Sequence, residues 1–280
     1  TKKPIDSSNM HPENWIEIAA LIEKNYNNYD SFIILHGTDT MAYTASALSF
    51  MLENLDKAVI LTGSQIPIGE RRTDAKENLM TSIEIAVSGK INEICIYFED
   101  KLYRGNRTVK INTEHFEAFN SPNFPILAEA GVNIKYKAKL NQVNGILKTH
   151  TNLSEDIAVL KLFPGITINT IQSIINSAKG IVIESFGTGN AAVSSEFSQL
   201  LKKANEDGKI LINITQCLYG SAFLGDYETS ESFGRSGVVC GKDMTTEAAI
   251  TKLMFLLGQS LSNEDIKTKL QLNLRGEISN

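Results

Sequence analysis

Short apolar runs recur down this chain, and the first two leave through a glycine turn into residues at helical spacing. Phe32-Ile33-Ile34-Leu35 exits through Gly37 into Met41, Ala45, Leu48 and Leu52, and Ala58-Val59-Ile60-Leu61-Thr62 exits through Gly63 toward Leu79, Ile83, Ala86 and Val87. Ile94-Cys95-Ile96-Tyr97-Phe98 is a third such run. Runs this short that are apolar on both faces are buried strands, and their alternation with helices predicts parallel βαβ crossovers rather than a sandwich. From Ser121 to His150 the pattern loosens around Pro122, Pro125, Gly131 and Gly145. Order resumes at Ile157–Leu162, Ile181–Ile183 and Ile210–Ile214, with helical patterns over Ile168–Ile175, Phe197–Ala204 and Ala248–Leu257. A last short helix is expected from about Asp265 to near Arg275-Gly276-Glu277. The expected fold class is α/β: a larger N-terminal domain with a doubly wound parallel sheet over residues 1–135, a linker over 136–156, and a smaller C-terminal α/β domain over 157–280.

Charge narrows the partners. The 280 residues carry a net charge of −5 and no Lys/Arg-rich run, so there is no electrostatic footprint for nucleic acid. No apolar stretch reaches the roughly 18 residues of a membrane span. Cys95, Cys217 and Cys240 are scattered beside apolar runs, which predicts small buried thiols and a reducing compartment. His11, His36, His115 and His150 lack metal-ligand spacing and none is assigned as a ligand. His36 is either a donor behind the Gly37 turn or a satisfied strand-end histidine.

Three polar stretches can carry chemistry. Thr38-Asp39-Thr40 sits at the carboxyl end of a predicted strand, where ligands bind in open α/β sheets, although these residues also suit a helix cap. Asp6-Ser7-Ser8 is a hydroxyl-rich loop before a helix marked by Pro12, Trp15, Ile18, Ala19, Ile22 and Tyr26, and it reads equally as a local turn. Arg104, Arg107 and Lys110 are either a solvated face or a source of one cation beside Thr38 and Asp39. The turn Gly187-Thr188-Gly189 is half a phosphate-binding loop, and without a full GxGxxG it supports no nucleotide site.

Five blocks taken together resemble one family. They are Asp6-Ser7-Ser8-Asn9-Met10, His36-Gly37-Thr38-Asp39-Thr40-Met41-Ala42-Tyr43-Thr44-Ala45, Leu61-Thr62-Gly63-Ser64-Gln65-Ile66-Pro67, Tyr103-Arg104-Gly105-Asn106-Arg107-Thr108 and Asn273-Leu274-Arg275-Gly276-Glu277. In order and spacing they closely resemble the bacterial type I, cytoplasmic L-asparaginases. The resemblance implies hydrolysis of L-asparagine to L-aspartate and ammonia through a Thr acyl-enzyme, without metal or organic cofactor. It implies that Thr38, Asp39 and Lys110 are catalytic, with Lys110 as base candidate. Asp6, Ser7 and Ser8, together with Thr38 and Asp39, would bind the substrate's charged groups. Homodimers or homotetramers in the cytoplasm are expected, and the apolar residues Tyr219, Phe223, Leu224 and Tyr227 either serve such a contact or form a loop packed within its own domain.

The sequence departs from the family in two places. The family opens with a strand and a Thr-Gly-Gly-Thr segment that carries the first nucleophile, and no such segment occurs in these residues. The expectation is therefore a chain that works with an N-terminal segment of the same protein and is inactive alone. A family Arg involved in regulation at a second site appears as Glu184, and Val109 replaces a hydroxyl, so regulation is not carried over. The alternatives are an amide-hydrolysing subunit of a tRNA-dependent amidotransferase, or an amino-acid-binding protein without turnover.

Overall fold

The computed structural model describes residues 4–137, 139–191, 194–223 and 233–279. The chain divides into two compact units, Thr1–Thr151 and Asn152–Asn280.

In the first unit, α1 (Pro12–Asn25) precedes β1 (Ser31–Leu35), α2 (Met41–Met51), β2 (Leu52–Glu53), β3 (Ala58–Thr62), α3 (Ala75–Val87) and β4 (Ile94–Phe98). β5 (Lys101–Arg104), β6 (Val109–Lys110), β7 (Phe119–Asn120), β8 (Ala128–Glu129), β9 (Lys135–Tyr136) and β10 (Lys148–Thr149) follow. The main sheet runs β1-β3-β4-β5-β8-β9. Its first three strands are parallel, in the register Ile33↔Ile60 and Ile60↔Cys95. Beyond β4 every neighbour is antiparallel, so the sheet is mixed. Sequence patterning missed this half because β8 and β9 are two residues each, too short to show a period. β10 pairs with β2 inside the stretch expected to be a linker.

Burial follows the pleat. Ala58, Ile60, Cys95 and Tyr97 share a cluster with Ile85 and Ala86 of α3. The alternate residues Val59, Leu61, Ile94 and Ile96 lie on the other face, where α2 packs. α2 is therefore enclosed nearly all round, with ten of its eleven residues buried.

The second unit holds β11 (Ile157–Lys161), α4 (Ile168–Ser177), β12 (Gly180–Ser185), α5 (Ser195–Glu206), β13 (Ile210–Thr215), β14 (Val239–Cys240), α6 (Thr246–Leu257) and α7 (Asn263–Gln271). The four strands pair in sequence order, all parallel. Ile181, Ile183 and Leu211 pack with Ile171, Ile175, Phe197 and Leu201 on the α4–α5 face. α6 covers the other face so closely that a Cβ on Gly180 would fall 2.7 Å from Leu257. The final helix stops at Gln271 rather than near Arg275, because Leu272 turns extended and the following backbone is held by Glu277. Cys95 is buried as expected, but Cys217 is exposed, since β13 ends two residues earlier. Tyr219 and Phe223 are exposed, whereas Leu224 and Tyr227 lie outside the described residues.

Candidate active site

The carboxyl ends of β1 and β3 carry the two turns that build the site. β1 ends at Leu35, and His36-Gly37-Thr38-Asp39-Thr40 leads into α2. Thr40 occupies the N-cap position but makes no side-chain cap bond. Its hydroxyl instead donates 2.7 Å to the carbonyl of Ser7, tying the Asp6-Ser7-Ser8 loop to the turn. The two segments touch so closely at Gly37 that a Cβ there would meet Ser7 Oγ at 2.6 Å, so only glycine fits.

Of the two sequence alternatives for Asp6-Ser7-Ser8, the local turn is the one seen directly. Asp6 Oδ1 accepts from the Ser8 backbone N–H at 3.0 Å and from the Ser8 hydroxyl at 2.9 Å, closing a short 3-10 turn. These two donors hold the exposed Asp6 carboxyl below its ordinary value. Ser7, in contrast, is buried against Gly37.

The three cations of the Arg104–Lys110 stretch have separate uses. Arg104 Nε and Nη2 grip Glu93 at 2.5 and 3.2 Å. Arg107 is 1% exposed, and its Nη2 donates to the Asn123 carbonyl at 2.8 Å, beyond β7. It thereby ties together the two ends of the β6–β7 segment. Lys110, paired with Phe119 across that segment, is aimed at the β1 turn. Its Nζ donates to Thr38 Oγ1 at 2.7 Å and to Asp39 Oδ1 at 2.6 Å. The lysine side chain is 17% exposed and that of Asp39 is 63% exposed. A carboxylate so open can hold Lys110 and still meet an incoming ammonium group.

Gln65 is a contact that sequence reasoning left unassigned, although it stands in a quoted motif. Its Oε1 accepts from Thr38 Oγ1 at 3.3 Å, and its Nε2 donates to the His115 carbonyl at 3.1 Å. The loop that presents it is fixed by Asp74, whose carboxylate accepts the backbone N–H groups of Gln65 and Ile66. Gly63 lets this loop cross the β1 turn, since a Cβ there would fall 2.2 Å from the His36 carbonyl oxygen.

A groove of about 960 Å³ runs from α1 along β1 toward α3, lined by Leu21, Phe32, Ile34, Ile68 and Leu79 among others, and ends at His36, Gly37, Gly63 and Ser64. Among the described residues β1 pairs only with β3, and Leu35 is 68% exposed. No group of three or more His, Cys, Asp or Glu suited to a metal occurs among the described residues, and no described helix is long and apolar enough to cross a membrane.

Comparisons with known proteins agree across the chain. Residues 1–142 match the family described as Asparaginase, N-terminal, and residues 156–270 match the Glutaminase/Asparaginase C-terminal domain. L-asparaginase 1 of Escherichia coli (strain K12) is 45% identical, over 98% of this chain and 82% of that protein. The 60 kDa lysophospholipase of Mus musculus is 42% identical over 98% of this chain, which spans 49% of that protein. The crystal structure of L-asparaginase I from Vibrio cholerae O1 biovar eltor superposes with a TM-score of 0.95 at 43% identity, covering 100% of this chain and 85% of that one.

Proposed function

This chain belongs to the asparaginase family, and from that premise we propose that it is an amidohydrolase that converts L-asparagine to L-aspartate and ammonia. The observation that carries the assignment of roles is the placement of Lys110 Nζ between Thr38 Oγ1 and Asp39 Oδ1, at 2.7 and 2.6 Å. The amide carbon is attacked by a hydroxyl, its nitrogen leaves as ammonia after taking a proton, and water cleaves the resulting acyl-enzyme. In this reading Lys110 is the base that takes the proton from the attacking group through Thr38, and Asp39 orients the lysine and holds its charge. The exposed face of Asp39 receives the substrate ammonium, and the Asp6-Ser7-Ser8 loop lies against the same turn, within reach of the substrate carboxylate.

The groove supports a finer part of the proposal. An extended segment of the same protein, laid in it as a further strand along the open edge of β1, would reach Gly37 and Thr38 at its end. That segment brings the first nucleophilic hydroxyl, as the Thr-Gly-Gly-Thr stretch of the family implies. Assembly into homodimers or homotetramers and a cytoplasmic setting complete the proposal, with exposed Tyr219 and Phe223 available for subunit contact. The amidotransferase-subunit alternative would call for a basic tRNA-facing stretch, which the sequence lacks.

Ammonia release from L-asparagine, measured with the groove segment present, tests these roles. Lys110→Met and Asp39→Ala each lower kcat by at least about a hundredfold if they act as assigned. Near-normal turnover in either variant refutes its role. Addition of a synthetic strand peptide ending in Thr-Gly-Gly-Thr to the 280-residue chain raises the rate if the groove is its seat, and an unchanged rate overturns the finer proposal.

A further inference from the structure

A chain of hydrogen bonds enters the active-site turn from behind. Trp15 Nε1 on α1 donates to Thr44 Oγ1 on α2 at 2.9 Å, Thr44 Oγ1 lies 2.9 Å from His36 Nε2, and His36 Nδ1 lies 2.7 Å from the Gly37 carbonyl oxygen. Chemistry sets its direction. A carbonyl oxygen can only accept, so Nδ1 carries the hydrogen. Burial disfavours the imidazolium and holds the ring below its ordinary pKa of 6.5, which leaves Nε2 as a bare acceptor near neutral pH. The Thr44 hydroxyl therefore donates to Nε2 and receives the indole N–H on a lone pair. Each donor in the chain has one acceptor, and a single imidazole tautomer satisfies all of them.

The chain ends on the peptide that most needs an anchor. Gly37 has the widest backbone freedom of any residue type, and its carbonyl belongs to the peptide plane that sets the direction of Thr38. A rotation of that plane would swing the Thr38 hydroxyl away from Lys110 Nζ, which sits only 2.7 Å from it. The His36 backbone is itself fixed, its N–H donating to the Thr62 carbonyl at 2.9 Å. The ring can thus act as a rigid prop between α2 and the turn.

We propose that His36 is a positioning residue for the hydrolysis: as its Nδ1–H tautomer, oriented by Trp15 and Thr44, it fixes the Gly37 carbonyl and with it the hydroxyl of Thr38. This rests on the assignment of Thr38 and Lys110 as catalytic, and the tests separate the two claims. Nitrogen-15 NMR of the imidazole needs no turnover. An Nδ1–H tautomer in the parent chain is expected, and an Nε2–H tautomer overturns the proposal whatever the activity.

Two isosteres then divide the ring's functions. An asparagine amide nitrogen reaches the Nδ1 position, whereas a glutamine amide reaches only the Nε2 position. With the groove segment present, His36→Asn keeps kcat within about threefold, and His36→Gln loses about tenfold or more with KM little changed. A role in stability alone would lower Tm in both variants while leaving their kcat values equal, and that result also overturns the proposal. Should Lys110→Met retain turnover, the catalytic assignment fails on its own evidence, independently of the tautomer.

Discussion

Glu247, at the start of α6, makes the stability of the second unit depend on pH in an unusual direction. Its Oε2 is buried with no hydrogen-bond partner among the described residues. Burial is the main reason its pKa rises from 4.5 to about 7; its own backbone N–H and the Thr245 side chain oppose the rise, and the Glu184 carboxylate adds to it. Glu184 is itself engaged, with Oε1 accepting from Thr246 at 2.6 Å and Oε2 lying 3.4 Å from Lys161 Nζ. A folded-state pKa above the unfolded one means that the folded protein holds this proton more tightly. The associated stability is complete below about pH 4.5, declines as pH rises toward 7, and is absent above it. At about 1.4 kcal/mol per unit, the interval corresponds to about 3 kcal/mol. Glu247→Gln, which is neutral at every pH, should remove that decline. Urea unfolding at pH 5 and pH 8, followed by a probe in the second unit, measures it: the variant gains about 2–3 kcal/mol over the parent at pH 8 and little at pH 5. Glu184→Gln should recover only a minor share, because burial outranks the neighbouring charge. Equal gains for Glu247→Gln at the two pH values would refute the reasoning.

Two further sets of substitutions test other buried or strained positions. Lys252 and Glu277 form an ion pair with both side chains fully buried, and Lys252 also donates to the Leu270 and Leu272 carbonyls. Lys252→Met should cost about 3–5 kcal/mol by removing the charge that balances the buried Glu277 carboxylate. Adding Glu277→Gln should return part of it, since the amide oxygen can still accept the Leu274 and Arg275 N–H groups, and a double-mutant cycle in urea reads the coupling. The β4–β5 turn holds two non-glycine residues in the left-handed region, Glu99 at φ 43° and Asp100 at φ 61°. Replacing them with Asn-Gly should stabilise by about 1–2 kcal/mol, and an unchanged Tm would remove the case for strain there.

Much of this molecule was legible in its sequence wherever one segment carried its own pattern. β3 and β4 are apolar runs buried on both faces, and their bounds followed from composition, whereas β12 and β13 extend past the apolar runs read for them, to Gly180–Ser185 and Ile210–Thr215. The antiparallel β5, β8 and β9 were not legible, since their partners are fixed by tertiary contact. Within the candidate site, the Thr38-Asp39 turn was visible as a strand end. Whether Thr40 would cap α2 or bond Ser7, and whether the cations would be solvated, depended on residues tens of positions away. Lys110 meets Thr38 across 72 positions, a closure that no local period encodes. Family resemblance supplied that pairing, and the geometry gives it a physical form.

The strand that opens the sheet is where sequence and structure disagree most usefully. Phe32-Ile33-Ile34-Leu35 has the composition of a strand with neighbours on both sides, yet β1 pairs with β3 alone among the described residues. Its five residues are all at least partly exposed, in contrast to the fully buried β3 beside it. A long apolar edge facing water is unfavourable and prone to pair with other chains, and here it carries no charge or proline that would blunt it. The same edge borders the groove that ends at Gly37 and Gly63. An apolar strand laid there would satisfy the backbone of β1, cover Leu35 and place its end beside Thr38. One occupant would thus resolve an unfavourable edge and, on the proposed assignment of roles, complete the group around Thr38, so that the stability of the sheet and the chemistry of the site would depend on the same segment.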